Sequence, residues 1–145
     1  MIPLEELTVA RMEELLNAGE TSSRELVLRY MERIALIDQS GPCLNSVLEL
    51  NPDALHIAEA MDRERTKGHI RSPLHGVPIL IKDNINTADK MHTSAGSIAL
   101  ADNFAPYDAT IVQKLRDAGL VILGKTNMTE LANHMSSNMH NGYSS

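Results

Sequence analysis

His75-Gly76-Val77-Pro78-Ile79-Leu80-Ile81-Lys82-Asp83-Asn84-Ile85 is the stretch that decides the fold. Its centre, Val77 to Ile81, is an unbroken apolar run of the kind expected for a strand covered on both faces. Pro78 has no N–H to donate, which puts it near the strand start or at a position the ladder leaves unpaired. Lys82 then places a charge at the strand tip, followed at once by Asp83 and Asn84. A charge is costly to hold there unless it is paired, solvated or used.

Downstream, residues 86–107 read as irregular, with Ser94-Ala95-Gly96-Ser97 as a tight turn and 98–101 as about one helical turn. Asp108 is placed to cap a helix with Ile111, Val112, Leu115 and Ala118 on its apolar side, closed by Gly119. Leu120 to Leu123 reads as a second buried strand, and Asn127 with Glu130 as the opening of another helix. Strand, connection with a helix, then strand is the arrangement of a parallel α/β sheet. In open sheets of that kind functional residues gather beyond the carboxyl ends of strands, where Lys82 falls. The last ten residues, 136–145, are polar without apolar period and are expected to be disordered.

Upstream, the pattern is helical. Residues 4–17 carry Leu4, Leu7, Met12, Leu15 and Leu16 near helical spacing, with Gly19 beyond. Ser22 and Glu25 have capping-box spacing before a face of Leu26, Val27, Tyr30, Met31, Ile34 and Ile37. A turn at 38–42 and a short strand within 45–50 follow. Asn51-Pro52 predicts a capped helix running to about Lys67 and ending at Gly68. Its charged end, Asp62-Arg63-Glu64-Arg65, is expected to be a solvated face.

A chain of 145 residues fits one domain with a core of its own. Aromatics are only 3% of it, so that core must be Leu, Ile, Val, Ala and Met. The net charge of −6 gives no reason to expect nucleic acid or an anionic membrane as partner. Cys43 is the single cysteine, which excludes an intrachain disulfide. The start lacks a basic n-region and apolar h-region, and no apolar run approaches the ~20 residues of a bilayer span. The expectation is a cytoplasmic protein.

Gly119-Leu120-Val121-Ile122-Leu123-Gly124-Lys125-Thr126 satisfies the phosphate-loop pattern G-x-x-x-x-G-K-[ST]. The four residues between its glycines are bulky strand formers, and a helix rather than a strand precedes it. A nucleotide-binding loop is therefore disfavoured. The six histidines show no metal-ligand spacing, and no G-x-S-x-G elbow is present. A strand-end lysine is ordinarily a surface residue. In a poorly solvated pocket, however, a lysine becomes a neutral amine able to take a serine proton.

The segment around Lys82 closely resembles the lysine segment of the amidase signature family. Thr93 to Ser97 resembles that family's turn after the lysine strand, and Tyr107 to Val112 through Gly119 its following helix. Gly124 to Leu131 resembles its strand-to-helix junction, which accounts for the false phosphate-loop match. The resemblance spans about 73–143, in the family's order. The tail from Asn138 to Ser145 is more similar to stand-alone amidases than to the tRNA-dependent amidotransferase A subunit.

The resemblance implies the N-terminal part of an α/β/α sandwich with a mixed central sheet. It divides the chain, 1–145, into a mainly helical region, 1–72, and the lysine segment with its βαβ unit, 73–143. It implies hydrolysis of a small-molecule carboxylic amide through a serine acyl-enzyme, with Lys82 as base and no metal or organic cofactor. Asp83 and Asn84 are candidate groups holding the Lys82 amine. The Gly/Ser-rich segment with both serines of the family's Ser-Ser-Lys triad belongs downstream of Ser145, and Ser144 and Ser145 do not replace it. The expectation is that this chain alone lacks the nucleophile. The rival expectations are a non-catalytic truncated or degenerate family member and, less favoured, a nucleotide binder.

Overall fold

A computed structural model describes residues 3–132 and Gly142. Three strands form one mixed sheet in the order β1-β3-β2: β1 is Val47–Leu50, β2 Pro78–Lys82 and β3 Val121–Thr126. β3 runs parallel to β2 and antiparallel to β1. The helices are α1, Val9–Asn17; α2, Ser23–Arg33, prolonged by a π-helical turn at Ile34–Asp38; α3, Ala54–Thr66; and α4, Thr110–Asp117.

The expected βαβ unit is present as β2, α4 and β3. One face of the sheet is covered by α2 and α3, where Val27, Ile34, Ala54, Ala58 and Met61 pack on Val47, Val121 and Leu123. On the other face, Ile81 and Ile122 pack with Met91 of the long loop and Val112 of α4. Helix, sheet and helix give the expected α/β/α layering. Met91 and Val112 are fully buried, each stabilising by about 1.5–3 kcal/mol relative to exposure.

Several elements depart from the sequence expectation. α1 begins at Val9, because the Thr8 hydroxyl accepts from the Arg11 amide and stops the helix from reaching Leu4. Ser22 does cap α2, accepting from the Glu25 amide. Asn51 does not cap α3. Its side chain donates to the Ile122 carbonyl oxygen at 2.8 Å, tying the β1 end to β3. Asp108 likewise leaves the α4 end and accepts from the Ala88 amide and from Arg116. Only a 3₁₀ turn, Glu130–Ala132, follows Asn127 among the described residues. The expectation of disorder at 136–145 lies outside the described residues apart from Gly142, which is buried.

The charged end of α3 is not merely a solvated face. The Asp62 carboxylate accepts from the Ser23 and Arg24 amides, capping α2 from a neighbouring helix. Arg65 donates to the His75 carbonyl oxygen, and Glu64 pairs with Arg71. These bonds hold the approach to β2. His75, fully buried, adds a bond from Nε2 to the Met61 carbonyl oxygen at 2.9 Å.

β2 is less covered than its apolar run predicts: only Ile81 is buried, and its outer edge meets no strand among the described residues. Beside it lies an open groove of about 480 Å³, lined in part by Tyr30, Ile34, Val47, Ile79, Leu80 and Leu123.

Candidate active site

The site is set by the C-terminal end of β2 and by a register slip in β3. Ile79 pairs with Ile122, but the next residue, Leu80, pairs with Gly124, so Leu123 is an extra residue in the ladder. After the slip, Lys125 pairs with Ile81 and Lys82 with Thr126. Paired residues share a face and neighbours alternate. Lys125 therefore joins Ile81 on the α4 side, and Lys82 joins Leu80 on the side of the open groove.

Lys82 is exposed, and among the described residues its amine has no hydrogen-bond or ion-pair partner. The poorly solvated pocket expected around it is not formed by the described residues. Its backbone is well fixed. The Asp83 amide donates to the Thr126 carbonyl oxygen at 3.2 Å, extending the ladder by one residue. The Ile85 amide donates back to the Lys82 carbonyl oxygen at 3.0 Å and closes a turn.

Asp83 and Asn84 part company. Asn84 is exposed. Asp83 is fully buried, and its carboxylate accepts from both the amide and the hydroxyl of Ser94. Its carbonyl oxygen accepts from the Ala95 amide. Neither side chain touches the Lys82 amine. The tight turn at 94–97 is present, with the Ser97 amide donating to the Ser94 carbonyl oxygen. Ala95 and Gly96 both have positive φ, as a primed turn requires. A Cβ on Gly96 would stand 3.0 Å from the Met128 carbonyl oxygen, so that turn sits tightly against the segment following β3.

The two serines nearest Lys82 in this loop are already engaged. The Ser94 hydroxyl donates to Asp83 and the Ser97 hydroxyl to Glu130. Neither is presented as a nucleophile.

The residue that sequence reasoning passed over is Lys125, which is the largest fully buried side chain. Its amine donates to the Ile85 carbonyl oxygen and the Thr93 hydroxyl, each at 2.9 Å. Burial pushes that amine below the usual lysine range, while Asp83, Asp89 and Glu49 pull it back up. The signal was available: Val121-Ile122-Leu123 runs into Lys125 as Val77 to Ile81 runs into Lys82. With its side chain spent inside the fold and Gly119 to Thr126 mostly strand, the phosphate-loop pattern forms no phosphate cradle. No cluster of metal-ligating side chains occurs among the described residues, and none of their helices is long and apolar enough to cross a membrane.

Comparison with known proteins agrees with this geometry. The family model described as Amidase matches residues 25–143. A putative amidase of Schizosaccharomyces pombe is 42% identical over 99% of this chain and 24% of its own length. A glutamyl-tRNA(Gln) amidotransferase polypeptide of Alkalilimnicola ehrlichii is 47% identical over 89% of this chain and 26% of its own. The crystal structure of native peptide amidase from Stenotrophomonas maltophilia superposes with a TM-score of 0.88 at 52% identity, covering 94% of this chain and 28% of that one. The chain thus spans about a quarter of the length of the relatives it matches.

Proposed function

The chain belongs to the amidase family, and we propose that Lys82 is the general base of an amide-hydrolysing site completed by residues beyond those given. The observation that carries this reading is the unpaired Lys82 amine. It stands at the carboxyl end of a strand whose backbone is fixed on both sides, on the sheet face left open beside the groove.

A serine supplied from outside the described residues attacks the carbonyl carbon, and the Lys82 amine takes its proton directly or through a second serine. The same proton then returns to the leaving amine as the C–N bond breaks, leaving an acyl-enzyme that water clears. Ser94 and Ser97 serve as structure in this scheme, because both hydroxyls are committed to carboxylates. Asp83 supports Lys82 through the backbone rather than by touching its amine.

Of the two family branches, the stand-alone amidases fit the tail from Asn138 to Ser145, and the likeness to peptide amidase makes peptide amides the first substrates to try. The soluble, cytoplasmic setting read from the sequence belongs to the same proposal.

The test is the native gene product, its intact mass measured and its hydrolysis of peptide amides assayed beside Lys82→Ala. Turnover abolished by that single change supports the base role. Turnover retained in Lys82→Ala overturns it. A native product of 15.9 kDa without turnover would instead support the non-catalytic alternative.

A further inference from the structure

Lys125 is a buried charge that the proposed chemistry does not use. Packing alone does not account for it: an apolar side chain of similar volume fills such a place at lower cost, since a buried ammonium must recover its lost hydration through bonds. What Lys125 obtains in return is specific. Its amine grips the Ile85 carbonyl oxygen, and the Ile85 amide is the group that closes the turn back onto the Lys82 carbonyl oxygen. The turn leaving Lys82 is thereby held at both ends of Ile85. The second grip, on the Thr93 hydroxyl, fixes the loop whose next two residues bind Asp83.

Asp83 and Lys125 thus fasten the same two segments, 82–85 and 93–95, to β3 from the face opposite the Lys82 side chain. Glu49, paired with Lys125 across β1 and β3, extends this to the loop by accepting from the His92 amide at 2.8 Å. The charged and titratable groups around the Lys125 amine are therefore Asp83, Asp89 and Glu49, with His92 on Glu49.

We propose that Lys125 is a positioning residue for Lys82: it locks the turn at 82–85 against the loop at 93–95 and so fixes where the Lys82 amine stands. This rests on the reading of Lys82 as base, but the locking itself is separable from it. Placement to within a fraction of an ångström decides whether a base reaches its proton. An unlocked turn therefore lowers the rate of the chemical step without changing how the substrate is held.

Two readouts test the proposal, with Lys125→Met and the milder Thr93→Val, which removes one acceptor at nearly constant volume. The first is amide hydrogen exchange of this chain. Lys125→Met is expected to lose protection by about tenfold at Asp83, Ile85 and Ala95 beyond any loss in the helices, and Thr93→Val to show a smaller loss at the same amides. A merely structural lysine would lower protection evenly through the fold. Unchanged or evenly lowered protection overturns the proposal, and if Lys125→Met fails to fold, the pattern in Thr93→Val decides it. The second is turnover of the native gene product, normalised by active-site titration. kcat is expected to fall about tenfold in Lys125→Met with KM within about twofold. Full kcat beside an inactive Lys82→Ala overturns the positioning role while leaving the base role standing. Local loss of protection beside an active Lys82→Ala overturns the base role and leaves the lock.

Discussion

Gly124 of β3 lies so close to Glu49 of β1 that a Cβ added to Gly124 would stand 2.3 Å from the Glu49 carbonyl oxygen. This glycine is needed for close approach rather than for an unusual backbone angle, and it coincides with the register slip that turns Lys125 inward. Gly124→Ala is expected to part β1 from β3 and destabilise the chain by about 2–4 kcal/mol, read as a lowered midpoint in urea. A midpoint within error of the parent would show that the two strands do not approach as described.

Lys82→Ala separates fold from function. The side chain is exposed and unpartnered among the described residues, so the substitution should change stability by no more than about 0.5 kcal/mol. A thermal melt of the parent and variant side by side checks this. A large drop would mean that Lys82 has a structural partner.

Asp38 offers a pH-dependent handle. Burial raises its carboxyl, but the Ser46 hydroxyl and the Val47 and Ser46 amides outweigh that and hold it below the usual carboxylate value. A depressed carboxylate contributes stability that is complete above its unfolded pKa of ~4 and is lost as pH falls through the folded value. Asp38→Asn should therefore cost about 1–3 kcal/mol at pH 7. The gap between parent and variant should close in urea titrations taken below about pH 4. A gap independent of pH would show that the charge contributes nothing.

Arg116 joins the long loop to α4. It donates to Asp89 at 2.7 Å and to Asp108 at 2.9 Å, all three side chains being less than one-third exposed. Arg116→Met leaves two carboxylates facing each other without a cation. A loss of about 1–3 kcal/mol is expected, persisting in added salt better than that of an exposed pair. A loss that disappears in ~0.5 M salt would place the pair in solvent.

The parts legible in the sequence were those governed by local pattern. The Ser22 cap, the end of α3 near Gly68, the turn at 94–97 and the two strands around α4 all follow from residues within a few positions of one another. Asn51 and Asp108 were misread as caps because their side chains are claimed by distant groups, the Ile122 carbonyl oxygen and Arg116 with Ala88. Lys82 was visible through its apolar run. Lys125 follows an equally apolar run, but one extra residue in β3 decides which way it points, and no spacing within the strand announces such a slip.

The central position of β3 also has a consequence for the order of assembly. The strand that touches both others is the last of the three to be synthesised, and Asn51 waits for a partner 71 residues further along. Until Thr126 has left the ribosome, α1, α2 and α3 can form and meet only one another, with β1 and β2 unable to join a sheet. The nascent chain thus carries two unpaired strands through most of its synthesis, and folding to the described state is gated by the emergence of a single six-residue segment.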